Sequence, residues 1–256
     1  GLREETAETY ALSGELRPAW IPGARMTASY FHIDYKDRIR GLLDGVSLPT
    51  ILQLESTLPA GIISRNGSGV LTAINATNIN SATTAIAGYD LMLGWSRDTG
   101  RAGAFDVSAS MTSYLDYRDA LLPGVPVMDL NGIAGHPARW RGRIGLNWVR
   151  GPWGAGASVQ YIPRLRNAEA DPTLVVREIS SQTVADVQLS YTTGNTDGWL
   201  GGLAVSLGAN NLFDAEAPFV DGQRFRGVDM TNHVINGRTV YLRLSKKFGA
   251  ALRGAR

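Results

Sequence analysis

The sequence predicts an all-β chain, an antiparallel up-and-down transmembrane β-barrel that remains incomplete within its 256 residues. Three observations carry this expectation. Apolar and polar side chains alternate with a period of two in run after run, short and long connections between the runs alternate strictly, and the tryptophans gather at the short connections. The 30 glycines and the frequent Thr, Ser and Tyr fit many short strands broken by turns, and no strong helical period is present.

In order, the alternation marks about nine strands. They run over Thr9 to Arg17, Arg25 to Ile39, Thr84 to Arg97, Ala104 to Tyr117, Trp140 to Val149, Gly154 to Pro163, Thr183 to Thr192, Gly202 to Leu212 and Arg238 to Phe248. The turns at Pro18 to Gly23, Asp98 to Gly103, Arg150 to Pro152 and Gly194 to Gly198 are short. The connections over Gly41 to Ala82, Arg118 to Arg139, Arg164 to Ser180 and Asp214 to Asn236 are long. In a meander every short turn then lies at one end of the sheet and every long loop at the other, the asymmetry of a barrel with periplasmic turns and extracellular loops. Trp20, Trp95, Trp148, Trp153 and Trp199 stand near short turns and only Trp140 near a long loop, so the rings form a headgroup-level girdle joined by Phe105 and Phe248. Tyr35, Tyr114, Tyr117 and Tyr161 are expected to form the opposite girdle.

Alternation also divides the faces. The expected lipid side comprises Leu12 and Leu16; Phe31, Ile33 and Tyr35; Tyr89, Leu91 and Leu93; Phe105, Val107 and Met111; Ile144, Leu146 and Trp148; Ala155, Ala157 and Val159; Val187, Leu189 and Tyr191; Leu203, Val205 and Leu207; and Val240, Leu242 and Leu244. The opposite face carries Glu15, Asp34, Asp90, Asp106, Arg141, Arg143, Asn147, Gln160, Asp186, Gln188 and Arg243, too many polar and charged groups for a dry interior. A soluble sheet with one face open to water would alternate in the same way, so a secreted carbohydrate-binding β-sandwich is the rival; it predicts that the apolar set meets a second sheet.

Composition closes other doors. With no cysteine the chain has neither a disulfide framework nor a thiolate metal site. The formal charge is +2 with both signs interspersed, which argues against a nucleic-acid partner. No apolar run approaches the roughly 18 residues of a spanning helix. His32, His136 and His233 are scattered without ligand spacing, no phosphate loop or nucleophile elbow is present, and so neither a metal, a cofactor nor an enzyme activity is expected.

Nine antiparallel strands cannot close on themselves, because the first and last would meet in parallel. The stretches Glu5 to Pro18, Ser29 to Ile39, Gly88 to Leu91, Trp140-Arg141-Gly142, Val184 to Tyr191, Asn210-Asn211-Leu212-Phe213-Asp214, Ala217-Pro218-Phe219 and Gly237 to Phe248 stand in the order and spacing of the end of a TonB-dependent outer-membrane receptor, which this chain resembles. The resemblance implies that residues 1–248 are the C-terminal portion of the barrel, about the last nine of 22 strands, with a tail over 249–256. It implies an outer-membrane location in a Gram-negative bacterium and TonB-coupled uptake of a scarce nutrient such as a ferric siderophore. The implied partners are outer-membrane lipid, the N-terminal plug and remaining strands, the TonB energy-coupling complex acting through that plug, and a small nutrient ligand. The plug, the TonB box and the earlier strands are not found in this sequence. A passive porin is a nearer alternative than the sandwich but lacks the Asn-Asn-Leu-Phe-Asp stretch. Two departures are visible: a tail follows Phe248, where the closing aromatic usually ends the chain, and Lys246 takes a lipid-side position.

Ligand-facing candidates lie in the long loops and upper lumen. Arg118, His136, Arg139, Arg141, Arg143, Arg164 and Arg166 suit an anionic chelate, and Tyr114, Tyr117 and Trp140 offer stacking surfaces. Pairing of these arginines with wall or plug acids is the plainer alternative. In the first long loop, Asn66-Gly67-Ser68-Gly69 between Ile62 to Arg65 and Val70 to Ala73 predicts a small projecting hairpin.

Overall fold

The computed structural model describes residues 2–42, 48–80, 83–120, 127–167, 178–193, 199–222 and 225–247. Its frame is one antiparallel sheet of nine long strands in sequence order: β1 (Thr6–Leu16), β2 (Ala24–Lys36), β3 (Thr83–Asp98), β4 (Ala104–Ala120), β5 (Trp140–Arg150), β6 (Trp153–Ile162), β7 (Gln182–Thr192), β8 (Leu203–Asn210) and β9 (Thr239–Lys246). A two-residue strand, Met128–Asp129, adds to the end of β4. Each predicted strand is present. The first and last are not paired with each other, so the sheet is open. Phe248 and the tail over 249–256 lie outside the described residues, as do the predicted turn Gly194 to Gly198 and parts of all four long loops.

Register fixes the faces. Leu12 pairs with Tyr30, Tyr30 with Tyr89, Leu91 with Met111, Ile144 with both Ala109 and Val159, Leu189 with Ala155 and Leu207, and Leu207 with Leu242. These side chains form one continuous apolar face. Leu91, Ile144, Leu189 and Leu242 are 37%, 61%, 48% and 64% exposed, so no second sheet covers them among the described residues. In water each such side chain forgoes roughly half of the about 1.5–3 kcal/mol that full burial supplies, which disfavours the sandwich. On the other face Ser13, Ser29, Asp90, Thr112 and Arg141 fall in one cross-strand row. Thr112 donates to Asp90 at 2.6 Å, Ser96 to Asp106 at 2.6 Å, and Tyr241 to Gln188 at 2.9 Å.

The register reverses one expected strand. On β2 it is Met26, Ala28 and Tyr30 that continue the apolar face, whereas Phe31, Ile33 and Tyr35 lie on the polar face opposite Gly88, Ile86 and Thr84, and Asp34 moves to the outer face beside Glu8. The bulkier odd set reads as lipid-facing, but its described ring contacts are on the other side, Phe31 against Tyr114 and Tyr35 beneath the Arg38 guanidinium. Tyr114 shares the polar-face parity of Thr112, and opposite the step from Ala87 to Gly88 the extra residue Leu115 then shifts parity on β4, bringing Tyr117 onto the polar face as well and leaving Asp116 and Arg118 outside. Of the four tyrosines expected in the long-loop girdle only Tyr161 is there; its outer companions are Trp140, stacked on it at 5.2 Å, with Tyr10, Tyr30 and Tyr89. Of the expected short-turn girdle, Trp95, Phe105, Trp148 and Trp153 lie on the apolar face, Trp153 packed edge-on against Tyr191 at 4.8 Å, while Trp20 and Trp199 stand in the turns outside the paired strands.

Buried cores occur in the loops. Leu42, Ile51, Ile62 and Ile79 form one core with a short helix, Leu48–Gln53, inside the first long loop. The predicted hairpin is present as Ile63–Arg65 paired with Leu71–Ile74, its turn held by the Asn66 carboxamide accepting from Ser68 and Val70 at 3.0 Å each. A second core joins three later loops through Ala134, Ala138, Ile162, Leu165, Ile179, Val220 and Phe225.

Candidate functional site

At the long-loop end of the polar face, the β4 bulge and the inward parity of β2 bring rings together. Phe31 packs edge-on against Tyr114 at 6.0 Å, Tyr114 against Tyr117 at 6.5 Å, and Tyr117 lies 5.8 Å from the His136 ring. Gly88 makes room for this: a Cβ there would lie 2.3 Å from the Ser113 carbonyl and 2.8 Å from Phe31 Cζ. The loop carrying His136 folds back onto β4, with the Leu130 amide donating to Tyr117 at 2.8 Å and the Asn131 side chain to the Tyr114 carbonyl at 2.9 Å. Gly132 and Gly135, at φ 71° and 79°, make the reversals that carry this loop over the tyrosines.

Cations border the rings unevenly. Arg139 Nε and Arg166 Nη2 both donate to the Asn131 carbonyl, at 3.4 and 3.5 Å. Arg141 lines a cleft of ≈ 170 Å³ with Ser110, Thr112, Arg143 and Gln160, and has no hydrogen-bond or ion-pair partner among the described residues. Arg143 is committed, donating to Ser158 at 2.8 Å and approaching Asp186 at 3.5 Å. Arg164 makes only an exposed 3.8 Å pair with Glu178, an arrangement of little energetic weight. The structure therefore gathers Tyr114, Tyr117, His136, Arg139, Arg141 and Arg166 at one end of the polar face. Arg118, paired with Asp116 at 2.7 Å, and Trp140 lie on the outer face, apart from that cluster.

What holds the roof was not foreseen. Asp229 accepts from the Gly135 amide at 3.0 Å, the Thr231 amide at 2.9 Å and the Asn232 side chain at 2.7 Å; Asn232 in turn accepts from the Ala138 amide and donates to the His136 carbonyl. Both residues are buried, so their polar groups act at low dielectric with partners in place. Gln182 ties β7 to the same loop through the Val234 amide at 2.9 Å and the Glu216 and Val234 carbonyls. Asn211, at φ 50° and buried, is fixed by the Ala215 amide and by the Ala215 and Asn236 carbonyls, which gives the Asn-Asn-Leu-Phe-Asp stretch a structural task. The Asp-x-Thr spacing at Asp229 is an Asx-turn signal that sequence reasoning could have used. His233 beside it is 5% exposed with no hydrogen-bond partner for either ring nitrogen among the described residues; burial lowers its pKa, against the opposing pull of Asp229. His32 lies on the outer face with one carboxylate neighbour, Asp34 at 2.8 Å.

Comparison with known proteins follows the same lines. A family model described as TonB dependent receptor-like, beta-barrel matches residues 1–212. By sequence, no curated protein matches the chain. Among solved structures, the ferric enterobactin receptor of Pseudomonas aeruginosa in complex with enterobactin is 17% identical with a TM-score of 0.62, over 95% of this chain and 32% of that one. A siderophore receptor of Acinetobacter baumannii is 15% identical at 0.60 over the same shares. An iron transporter of Neisseria meningitidis is 16% identical at 0.59, over 97% of this chain and 32% of its own length. The chain thus spans about a third of the length of these structures, and at such identities the likeness is one of fold.

Proposed function

The chain belongs to the TonB-dependent receptor family, whose barrel model covers most of its length, and from that premise we propose that it forms the C-terminal wall of an outer-membrane receptor for energy-coupled uptake of a scarce nutrient such as a ferric siderophore. The apolar face meets lipid and the polar face lines the lumen, where the plug supplied by the rest of the receptor packs. Short turns face the periplasm and the loops face outward. The domain reading follows: residues 1–248 are wall and 249–256 a tail.

The observation that carries the ligand reading is the ring floor Phe31, Tyr114 and Tyr117 with the unpaired Arg141 below it and Arg139 and Arg166 at its edge. Flat rings bordered by guanidinium groups suit an anionic ligand that carries rings of its own. The neighbours named as siderophore receptors and iron transporter point the same way. No chemistry is done on the ligand: its selection rests on loop, wall and plug contacts, and the TonB complex acts through the plug.

The test is titration of the intact receptor with a ferric tricatecholate and a ferric trihydroxamate. Tyr114→Ala with Tyr117→Ala should weaken the ring-bearing chelate about tenfold, near the loss of one or two ring contacts, and leave the hydroxamate less affected. Undiminished tricatecholate binding would remove the ring floor from recognition. Uptake that persists after the proton-motive force is dissipated would instead favour the passive porin.

A further inference from the structure

The outer face is charged differently at its two ends. At the long-loop end its cations sit beside acids: Lys36 lies 3.8 Å from Glu8, His32 2.8 Å from Asp34, and Arg118 2.7 Å from Asp116. At the short-turn end the pattern changes. Two residues beyond the last apolar side chain of the face among the described residues stand Arg97 after Trp95 on β3, Arg150 after Trp148 on β5, and Lys246 after Leu244 on β9. The acids nearest by, Glu15, Asp98 and Asp106, have the opposite parity and belong to the polar face. Neither Arg97 nor Arg150 has a hydrogen-bond or ion-pair partner among the described residues, while Lys246 donates to the Trp199 and Gly201 carbonyls.

Arg97 is in register with Phe105, and Phe105 with Trp148, so two exposed guanidinium groups flank a platform of two rings. Interstrand spacing places their backbones within about 12 Å of each other, near enough for both side chains to reach one phosphate headgroup. The Trp148 indole is held by donation to the Ala102 carbonyl at 2.7 Å, which keeps the platform in place.

We propose that Arg97 and Arg150, over Phe105 and Trp148, bind the phosphate headgroup of an anionic phospholipid in the leaflet that meets the short turns. Charge complementarity names the occupant: an unpaired cationic pair at headgroup level, with no acid beside it on that end of its face among the described residues, attracts anionic lipid, and guanidinium forks match phosphate oxygens. The inference rests on the apolar face meeting lipid, and the experiment separates the two.

The intact receptor is reconstituted in vesicles of phosphatidylcholine alone or with phosphatidylglycerol, and the phosphatidylglycerol retained after detergent extraction is measured by native mass spectrometry. Wild type should retain it in preference to phosphatidylcholine. Arg97→Gln with Arg150→Gln should cut retention about tenfold or more, two surface cations being lost. Arg97→Lys with Arg150→Lys should restore much of it, and Lys36→Gln at the other end should change nothing. Equal retention by wild type and the double Gln variant, or no preference over phosphatidylcholine, overturns the proposal while leaving the membrane reading intact. Failure of wild type to enter vesicles at all overturns both.

Discussion

Single side chains decide where the site lies. Arg141 and Trp140 are neighbours in sequence, yet period two sends one into the polar row with Thr112 and the other out against Tyr161. That much follows from the sequence. So does Tyr114, which shares the parity of Thr112, but the position of Tyr117 does not, because the extra residue Leu115 opposite the Ala87 to Gly88 step changes the parity of β4 beyond it, and no composition rule marks that insertion. Phe31 misleads for a different reason: bulk and apolarity read as a lipid contact, whereas the half-buried ring lies on the polar face, edge-on to Tyr114. His233 yields a pH prediction in the loops. Its folded pKa is lowered, chiefly by burial, so the folded state favours the neutral ring and binds fewer protons than the unfolded chain. Its share of stability is therefore full above the unfolded value of about 6.5 and is lost as pH falls from there through the lowered folded value. Hydrogen exchange on the intact receptor should show protection of the amides of residues 229–233 and of Gly135, His136 and Ala138 declining below about pH 6.5, and His233→Asn should flatten the decline. An unchanged profile in that variant would assign the pH dependence elsewhere.

Elements were legible where their cause is local. All nine strands were found because turn residues and period-two alternation lie within each run, and the Asn66 to Gly69 hairpin turn for the same reason. The packing of the long loops was not, since its bonds join distant residues: Asp229 to Gly135 and Asn232 to Ala138 each span 94 positions. The first long loop is latched similarly. Arg40 pairs with Asp119 at the end of β4, with side chains 14% and 2% exposed, and Thr84 donates to the same carboxylate at 2.7 Å. Arg40→Gln leaves that carboxylate buried beside a hydroxyl alone, a loss of about 3–5 kcal/mol for a broken buried pair. The expected outcome is faster proteolytic cutting within residues 39–80 with the strands intact, and partial recovery on adding Asp119→Leu, since the stranded charge is then gone. A cutting rate equal to wild type would show that the pair does not hold the loop.

For the whole molecule, the odd strand count and the two unpaired sheet edges agree with a wall that is completed by other strands. The chemistry is divided across its thickness: greasy side chains on one surface, an aqueous polar track on the other, and loops packed over one end. The central claim is that acyl chains touch the first surface and water the second. Because this chain contains no cysteine, single cysteines placed in it meet no background from its own residues, and they can be spin-labelled in the intact receptor in bilayers once any cysteine elsewhere in the receptor has been replaced. Labels at Leu91, Ile144, Leu189 and Leu242 should collide with dissolved oxygen and be shielded from a water-soluble nickel chelate, while labels at Asp90, Arg143, Gln188 and Arg243 should show the reverse. If both sets meet the nickel chelate equally, or the first set is shielded from both probes inside dry protein, the barrel-wall account is wrong.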